Sequence, residues 1–338
     1  MWRKTFVVVA LLLFTVSTAQ RALTRRDDAA AVRVAINKSL PLLQASSSTF
    51  LKNAGCTSCH AQSLGALTFA LARERGFKVD ERIVQEANEA NLKRWTTSRE
   101  RALQGIEMSA QIEGSYALLA LAANHYPRSK TTDALVHHLA GKQAPDGRWR
   151  SASYRPPLEY SDFTATALTL RGLQQFAPAG RAKEMDERIK LARNWLLNAA
   201  PASNEDRVFR LMGLRWSAAG EPSIKQAADE LLARQRADGG WAQLDTLESD
   251  AYATGQALFA LHQVTGLSTS SPAYRRGVNF LLRTQLSDGS WLVKSRSFPV
   301  IPPVESGFPH GKNQFISAAG SSWATMALVL TLKPTAQR

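Results

Sequence analysis

The residues with the most distinctive chemistry form one short stretch, Cys56-Thr57-Ser58-Cys59-His60. Two cysteines three positions apart can both form thioethers with the vinyl groups of a haem, and the histidine that follows can ligate the iron. They are the only two cysteines in the chain. The stretch therefore predicts covalently bound haem c, with Cys56 and Cys59 as the attachment residues and His60 as the ligand of the haem iron.

Two other interpretations of this stretch stay open. Cys56 and Cys59 could form a redox-active or structural disulfide, which leaves His60 without a role in the chemistry. A zinc site would need further ligands, and the chain has no second pair of cysteines.

A sixth ligand for the haem iron is predicted in a later loop. His310 lies in a stretch rich in glycine that follows the prolines at 299, 302 and 303, and long loops in a compact helical fold are usually functional. Met108 and Met212 are alternative ligands, and a five-coordinate iron is a further interpretation.

The elements that must position these residues are indicated by a pattern that occurs three times, at residues 143–149, 235–241 and 285–291. In each copy Gln precedes Asp-Gly by three residues and Trp by six, and a run with helical apolar spacing comes before it. Asp-Gly is predicted to end that helix, because glycine adopts the left-handed conformation of a C-terminal cap. The tryptophan is expected to bury its ring, and the glutamine to bond backbone groups freed at the helix end.

The spacing of the copies indicates a repeated helical hairpin. Trp241 and Trp291 are 50 residues apart, and Trp149 and Trp241 are 92 apart, close to two units. A unit of roughly 45–50 residues is within the range of helical repeats. One helix of each unit is apolar all round, which predicts burial on every side, and the other is amphipathic. Such a stack is either an open solenoid or a closed ring.

Two motifs together resemble a known group of proteins. Gln-x-x-Asp-Gly-x-Trp after an amphipathic helix, with Asp-x-x-Ala-Thr opening an apolar one, resembles the squalene–hopene cyclase and terpenoid cyclase group, which shares an α/α toroid with protein prenyltransferase β subunits. The resemblance covers about residues 105–334. It implies an all-α toroid in which inner apolar and outer amphipathic helices surround a central cavity.

The two Asp-x-x-Ala-Thr copies begin at Asp162 and Asp250. These residues are either helix N-caps or candidate catalytic acids. On the toroid, they are expected with Tyr252 and Trp323 at one mouth of the cavity.

The chain departs from the chemistry of that group. It lacks the Asp-x-Asp-Asp motif with which squalene cyclases protonate their substrate, and the metal-binding Asp-Asp-x-x-Asp of ionising terpene synthases. The zinc set of prenyltransferases cannot be built, since both cysteines lie near the N-terminus. The chain is also half as long as a full, two-domain cyclase. Class II terpene cyclase activity is therefore not expected.

Composition and the N-terminus bear on compartment and partners. The 338 residues carry a formal net charge of +14, which predicts affinity for an anionic membrane surface or an acidic partner protein. Nucleic acid is excluded as a partner, because the basic residues are dispersed and no nucleic-acid module occurs. Residues 1–19 have the basic start, short apolar run and small-residue end of a secretory signal peptide, the alternative being an uncleaved anchor.

Three domains are predicted: the signal peptide at 1–19, a helical segment with the haem motif at 20–104, and the squalene-cyclase-like toroid at 105–338. The features predict an exported protein, periplasmic or secreted, that binds haem c. It would exchange electrons with a redox partner protein or perform redox chemistry on an apolar ligand in the cavity. The alternative is a terpenoid-cyclase-like or isoprenoid-binding protein without haem, in which Cys56 and Cys59 form a disulfide. A third hypothesis is a binding module that uses the toroid only as a scaffold.

Overall fold

The computed structural model describes residues 3–107, 110–151, 153–298 and 304–335, with side chains from residue 28 onward except at position 110. Its α-helices are α1 Arg3–Ala54, α2 Leu64–Glu74, α3 Glu81–Thr97, α4 Arg99–Leu103, α5 Ser115–Ala123, α6 Lys130–Gly141, α7 Asp162–Phe176, α8 Ala182–Asn198, α9 Asn204–Trp216, α10 Glu221–Leu232, α11 Ala251–Thr265, α12 Pro272–Thr284 and α13 Gln314–Val329. Two short strands, β1 Trp241–Ala242 and β2 Ser249–Asp250, pair antiparallel with Trp241 opposite Asp250. The predicted signal peptide at residues 1–19 falls outside the described side chains and stays a prediction.

Within the described residues, six helices form a closed inner ring. Going round it, α2 contacts α5, then α7, α9, α11 and α13 follow, and α13 contacts α2 again. These helices are buried nearly all round, as apolarity on every face predicts: in α13 each residue from Ile316 to Val329 is buried. The prediction of an all-α toroid is confirmed, and of the two stacks that the repeat allows, the closed ring is the one observed.

The outer layer consists of amphipathic helices that bury one face against the ring. Helices α1, α3, α6, α8, α10 and α12 each contact inner helices. In α12, for example, Tyr274, Gly277, Val278 and Leu281 are buried, whereas Arg275 and Arg276 between them are exposed. Segment 20–104 supplies α2 of the inner ring, and residues 20–54 of α1 together with α3 in the outer layer.

The three glutamines of the repeated motif join neighbouring outer helices. Each side-chain amide donates to the carbonyl of its own motif glycine and to a carbonyl of the next outer helix. The pairs across helices are Gln143 with Arg188 at 2.8 Å, Gln235 with Ala273 at 2.8 Å and Gln285 with Ala35 at 2.9 Å. The glutamines do bond to backbone groups, but these are carbonyls of the motif turn and of the neighbouring helix, and not the groups freed at the end of the preceding helix that the sequence predicted.

The motif glycines have a different role from the predicted helix cap. Helices α6, α10 and α12 already end before the motif glutamine, so the prediction that Asp-Gly caps them is wrong. Gly239 and Gly289 have φ of +89° and +92° in the turn that follows. A Cβ on Gly239 would lie 2.5 Å from the Arg276 carbonyl oxygen, and one on Gly289 2.7 Å from Lys38 backbone atoms. Glycine is needed because the turn lies directly against the backbone of the next outer helix.

The motif tryptophans join the end of an outer helix to the next inner helix. Trp149, Trp241 and Trp291 are at most 1% exposed, which confirms the predicted burial. Their indole N–H groups donate to carbonyls ten residues earlier, in α6, α10 and α12. Their backbone N–H groups donate to hydroxyls of the following inner helix, those of Thr166, Thr254 and Ser321. The threonine hydroxyl of Asp-x-x-Ala-Thr therefore accepts a hydrogen bond from the backbone N–H of the tryptophan in the preceding motif.

Candidate functional site at the centre of the ring

A buried carboxyl group, that of Glu205, lies among the starts of three consecutive inner helices. Glu205 is the second residue of α9 and is 3% exposed. It accepts hydrogen bonds from the Thr164 hydroxyl of α7 at 2.8 Å and the Tyr252 hydroxyl of α11 at 2.9 Å. The Gln256 amide of α11 donates to it at 2.8 Å. Because residues near the beginnings of three helices meet here, these helices begin at the same end of the ring.

Burial raises the pKa of Glu205 from 4.5 to about 7, although hydrogen bonds from Gln256, Thr164 and Tyr252 act in the opposite direction. A carboxyl with a pKa near neutrality can accept or donate a proton at physiological pH. Perturbed groups of this kind concentrate at functional sites.

Several buried polar atoms around Glu205 have no hydrogen-bond partner among the described residues. They include the Tyr116 hydroxyl of α5 and the Gln256 Oε1 of α11, whereas the Trp323 indole of α13 lies within reach of the Tyr252 hydroxyl as a hydrogen-bond donor. Burial raises the pKa of Tyr116 well above 10.0, and the neighbouring Glu205 raises it further, so its phenol lies near this carboxyl. Since buried polar atoms in folded proteins are nearly always hydrogen-bonded, the set marks a place where water or a ligand completes the bonding.

The predicted haem-attachment residues lie next to this cluster. Cys59 and His60 begin a π-helical turn, Cys59–Ser63, that leads into α2, and turns of this type are frequent at functional sites. The Cys59 Sγ donates to Glu159 Oε1 at 2.7 Å. Cys59 is also one of the groups that raise the pKa of Tyr116, which connects this turn to the centre of the ring.

The two cysteines are not joined in the structure. Cys56 is exposed, whereas Cys59 is 2% exposed and bonded to Glu159. The two thiols therefore have different surroundings, and the disulfide of the alternative interpretation stays a prediction. Burial raises the pKa of both, for Cys59 well above 9.0.

The imidazole of His60 is enclosed by aromatic rings. It stacks on Phe315 at 4.5 Å between centroids and contacts Phe50 edge-on at 5.1 Å. Burial, and then the charge of Arg155, lower the pKa of His60 to about 3. The imidazole is therefore neutral at physiological pH.

The candidate sixth ligands lie in other surroundings. The His310 Nε2 is 2.8 Å from the Ser290 hydroxyl, and its ring contacts Phe308. It shares no described contact with His60. Met212 is buried in α9, and Met108 lies outside the described residues.

The two candidate acids begin inner helices, as predicted, but only one of them is a cap. Asp250 is the N-cap of α11 and accepts from the Ala253 N–H at 2.8 Å; burial raises its pKa to about 6. Asp162 is the first residue of α7, and Ser161 caps that helix instead, because its hydroxyl reaches two free N–H groups. Asp162 accepts from the Ser151 N–H at 2.8 Å and lies 3.5 Å from Arg148.

The structure therefore brings Tyr252 and Trp323 to the centre, and adds three residues that the sequence reading did not single out: Tyr116, Glu205 and Gln256. Two of them, Tyr116 and Glu205, could have been found from their position in the repeat. Tyr116, Glu205 and Tyr252 are each the second residue of an inner helix, so aligning the repeats on their inner helices would have placed them together.

Across the described ranges, no three His, Cys, Asp or Glu side chains form a group that could hold a metal ion. In the same part of the chain, no helix has both the length and the apolar character needed to cross a membrane.

Comparison with known proteins shows the fold and no closer relationship. No protein-family model and no curated protein matches the chain. Among solved structures, the type II terpene cyclase MstE from Scytonema is 15% identical with a TM-score of 0.55, over 89% of this chain and 98% of that one. A variant of MstE in complex with its substrate, geranylgeranyl dihydroxybenzoate, gives 15% identity and a TM-score of 0.54, over 90% and 99% of the two chains.

A protein from Actinoplanes is 14% identical with a TM-score of 0.54, over 86% of this chain and 98% of the other. The match covers nearly the whole of both this chain and MstE. The chain therefore has a terpenoid cyclase-like, all-α toroid fold.

Proposed function

We propose that this protein binds an isoprenoid-type ligand at the centre of its terpenoid cyclase-like ring. The observation that carries the proposal is the pair of unpartnered polar atoms near Glu205, contributed by Tyr116 and Gln256. They belong to α5 and α11, which are not neighbours in the ring, so a ligand that meets both must lie inside it.

The surroundings of this group suit a ligand with a long apolar part. The inner helices consist mainly of apolar and small residues. An apolar chain that leaves water gains about 25 cal/mol for each Å² that it buries. One polar end would then be held by the cluster at Glu205. The substrate of MstE, geranylgeranyl dihydroxybenzoate, has this combination of an apolar chain and a polar end.

A binding titration tests the proposal. Geranylgeraniol is added to the full chain, and binding is followed by calorimetry and by tryptophan fluorescence. We expect saturable binding of one molecule per chain. Tyr116→Phe should weaken it by about fivefold, the value of roughly one hydrogen bond. Tyr154→Phe, at a residue that is 81% exposed, is the matched control and should have no effect. Absence of saturable binding would contradict the proposal.

Covalent haem is a second candidate, favoured by the presence of two unpaired thiols directly before an imidazole. The donor set fits haem c: Cys56 and Cys59 would hold the porphyrin, and His60 would ligate the iron. When bound, the group would supply one-electron transfer, to or from a redox partner protein. The adjoining cluster at Glu205 would then bind the apolar ligand beside it.

The haem candidate is tested by the visible spectrum and the denatured mass of protein exported from a host that matures c-type cytochromes. Covalent haem predicts an added porphyrin mass that survives denaturation and is lost in the Cys56→Ser, Cys59→Ser double variant. A colourless protein without added mass excludes it. The same mass shows whether residues 1–19 are removed, which is the outcome expected if they form a signal peptide.

A further inference from the structure

We infer that one end of the ring docks on an anionic lipid bilayer through an exposed aromatic patch, which consists of Tyr154, Tyr160 and Phe298. The inference goes beyond the proposed binding of an isoprenoid in the ring and rests on separate observations. They are the exposure of these side chains, the backbone contacts that bring them together and the charges around them.

Two of the three aromatic side chains belong to one hairpin. Arg155 and Glu159 pair across it in an antiparallel bridge, and the Glu159 N–H donates to the Arg155 carbonyl at 3.0 Å. Tyr154 and Tyr160 are therefore the next facing pair, on the opposite face of the hairpin, because successive side chains of an extended backbone alternate between its faces. Glu159 points inward, where it accepts from Cys59. The two tyrosines point outward and are 81% and 56% exposed.

Phe298 lies beside the tip of this hairpin. The Ser297 hydroxyl donates to the Pro156 carbonyl at 3.4 Å, so the connection that leads to α13 runs next to the one that leads to α7. Phe298 is 80% exposed, and among the large apolar side chains that the structure describes, it and Tyr154 are the two most exposed. Single exposed apolar residues are common on any protein, whereas a group of them marks an interaction surface.

The two segments that carry the patch are basic. Residues 150–160 and 292–298 contain four cations, Arg150, Arg155, Lys294 and Arg296, against one acid, Glu159. Glu159 is buried and pairs with Arg155 at 3.2 Å, whereas Arg150 and Lys294 are exposed. The patch therefore presents a positive surface, in a chain whose formal net charge is +14.

Aromatic rings surrounded by cations suit the surface of a bilayer that contains anionic lipids. A tyrosine places its ring among the acyl chains while its hydroxyl stays among the headgroups. Phenylalanine enters the hydrocarbon, and lysine and arginine attract the lipid phosphates. A fluid bilayer needs no surface of complementary shape, so rings that project singly into solvent can all be buried in it.

The docking end is the end of the ring at which Glu205 lies. The hairpin ends at Tyr160, just before α7, and Thr164 near the start of α7 donates to Glu205. An isoprenoid dissolved in the bilayer would therefore meet the protein at the end that holds the polar centre.

Hydrogen–deuterium exchange of the full chain tests the inference. The chain is measured alone, with vesicles of phosphatidylcholine mixed with phosphatidylglycerol, and with vesicles of phosphatidylcholine only. Residues 150–160 and 292–298 should be protected by the mixed vesicles. Residues 266–271 are the internal control, because they follow the end of α11 at the opposite end of the ring. This local readout is needed because the apolar run within residues 1–19 can bind lipid by itself.

The lipid concentration that gives half of the protection measures the affinity. We expect it to rise at least about tenfold when the anionic lipid is left out. It should rise by at least the same factor in the triple variant Tyr154→Ser, Tyr160→Ser, Phe298→Ser, which removes the apolar contacts. Val34→Ser is the matched control, since Val34 is 55% exposed on α1, and it should behave like the unmodified protein. All four side chains are exposed, so the variants should fold.

The inference is wrong if the mixed vesicles leave both segments unprotected, protect residues 266–271 equally, or protect the triple variant as well as the unmodified protein. It is also wrong if neutral vesicles protect as well as anionic ones. Geranylgeraniol titrated without lipid reports on the proposed function separately. Saturable binding with an unprotected patch leaves the proposed function standing and sinks the inference, and a protected patch without binding does the reverse.

Discussion

Gln285 and Ala35 are 250 residues apart in the chain, yet the Gln285 side-chain amide donates to the Ala35 carbonyl at 2.9 Å. This bond closes the outer layer. Helix α1 occupies the place of the outer helix that would follow the third motif. The third motif contacts α1 with the same residue spacing as the other two motifs contact their next outer helices. In each copy the residue that faces the motif glycine comes three positions after the one that accepts from the glutamine: Leu191, Arg276 and Lys38.

Gly289→Ala should therefore destabilise the fold by more than the strain of its φ alone. An alanine at positive φ costs about 1 kcal/mol, and here its Cβ would also collide with the backbone of Lys38 at 2.7 Å. We expect a loss of about 2–4 kcal/mol in the free energy of unfolding, measured in urea. Gly266→Ala is the control, because Gly266 has φ of +68° with open space around it. Equal losses in the two variants would show that α1 does not close the ring in this way.

Glu205 should make the stability of the protein depend on pH. Its pKa is 4.5 ordinarily and about 7 in the folded protein, so between these values the folded state holds the proton more tightly. The contribution of Glu205 to the free energy of unfolding is most favourable below about pH 4.5 and is lost as the pH rises through 7. The total is at most about 3 kcal/mol, since one unit of pKa is worth about 1.4 kcal/mol.

The measurement is the free energy of unfolding of the unmodified protein minus that of Glu205→Gln, between pH 4.5 and 8. Taking this difference removes the titration of other carboxyl groups. A fall in the difference as pH rises supports a buried carboxyl at the centre. A difference that stays constant would mean that Glu205 is solvated.

The sequence predicted the architecture better than the site, for a physical reason. The repeated tryptophans and glutamines connect the end of one helix to the backbone of its neighbours, so their spacing indicates the helical hairpin and the toroid. The role of α1 in closing the outer layer could not be predicted, because the third motif bonds to a backbone carbonyl of α1, which any sequence would supply. Glu205 was missed because it belongs to no motif, and its unusual pKa arises from burial by helices distant in sequence. Ser161 was overlooked as the cap of α7 because Asp162 beside it is an equally good capping residue by type.

The two thiols should react differently in protein that carries no haem. Cys56 is exposed and Cys59 is buried, so an aromatic disulfide reagent should modify one thiol in the folded protein and two after unfolding. The raised pKa of Cys56 should make its reaction slower than that of a free thiol. In Cys56→Ser no thiol should react before unfolding. Two reactive thiols in the folded protein would contradict the buried contact with Glu159, and none after unfolding would indicate a disulfide or thioethers.

Asp250 and Asp162 should differ in their importance for stability. Asp250→Ala removes an N-cap, which typically costs about 1 kcal/mol, and Asp250→Asn should retain most of it. Asp162→Ala should cost less, because Ser161 continues to cap α7. Thermal or urea unfolding of the three variants decides. A larger loss for Asp162→Ala would mean that its bond to the Ser151 N–H, and not the cap, holds the start of α7.

The central claim is that the centre of the ring binds an isoprenoid-type ligand without forming a covalent bond to it. The most direct test is mass spectrometry of the full chain with geranylgeraniol, first under native and then under denaturing conditions. We predict one adduct per chain in the native spectrum, which disappears on denaturation and is much reduced in the Tyr116→Phe, Gln256→Met double variant. A native spectrum without any adduct, or one with the same adduct in the double variant, would contradict the account.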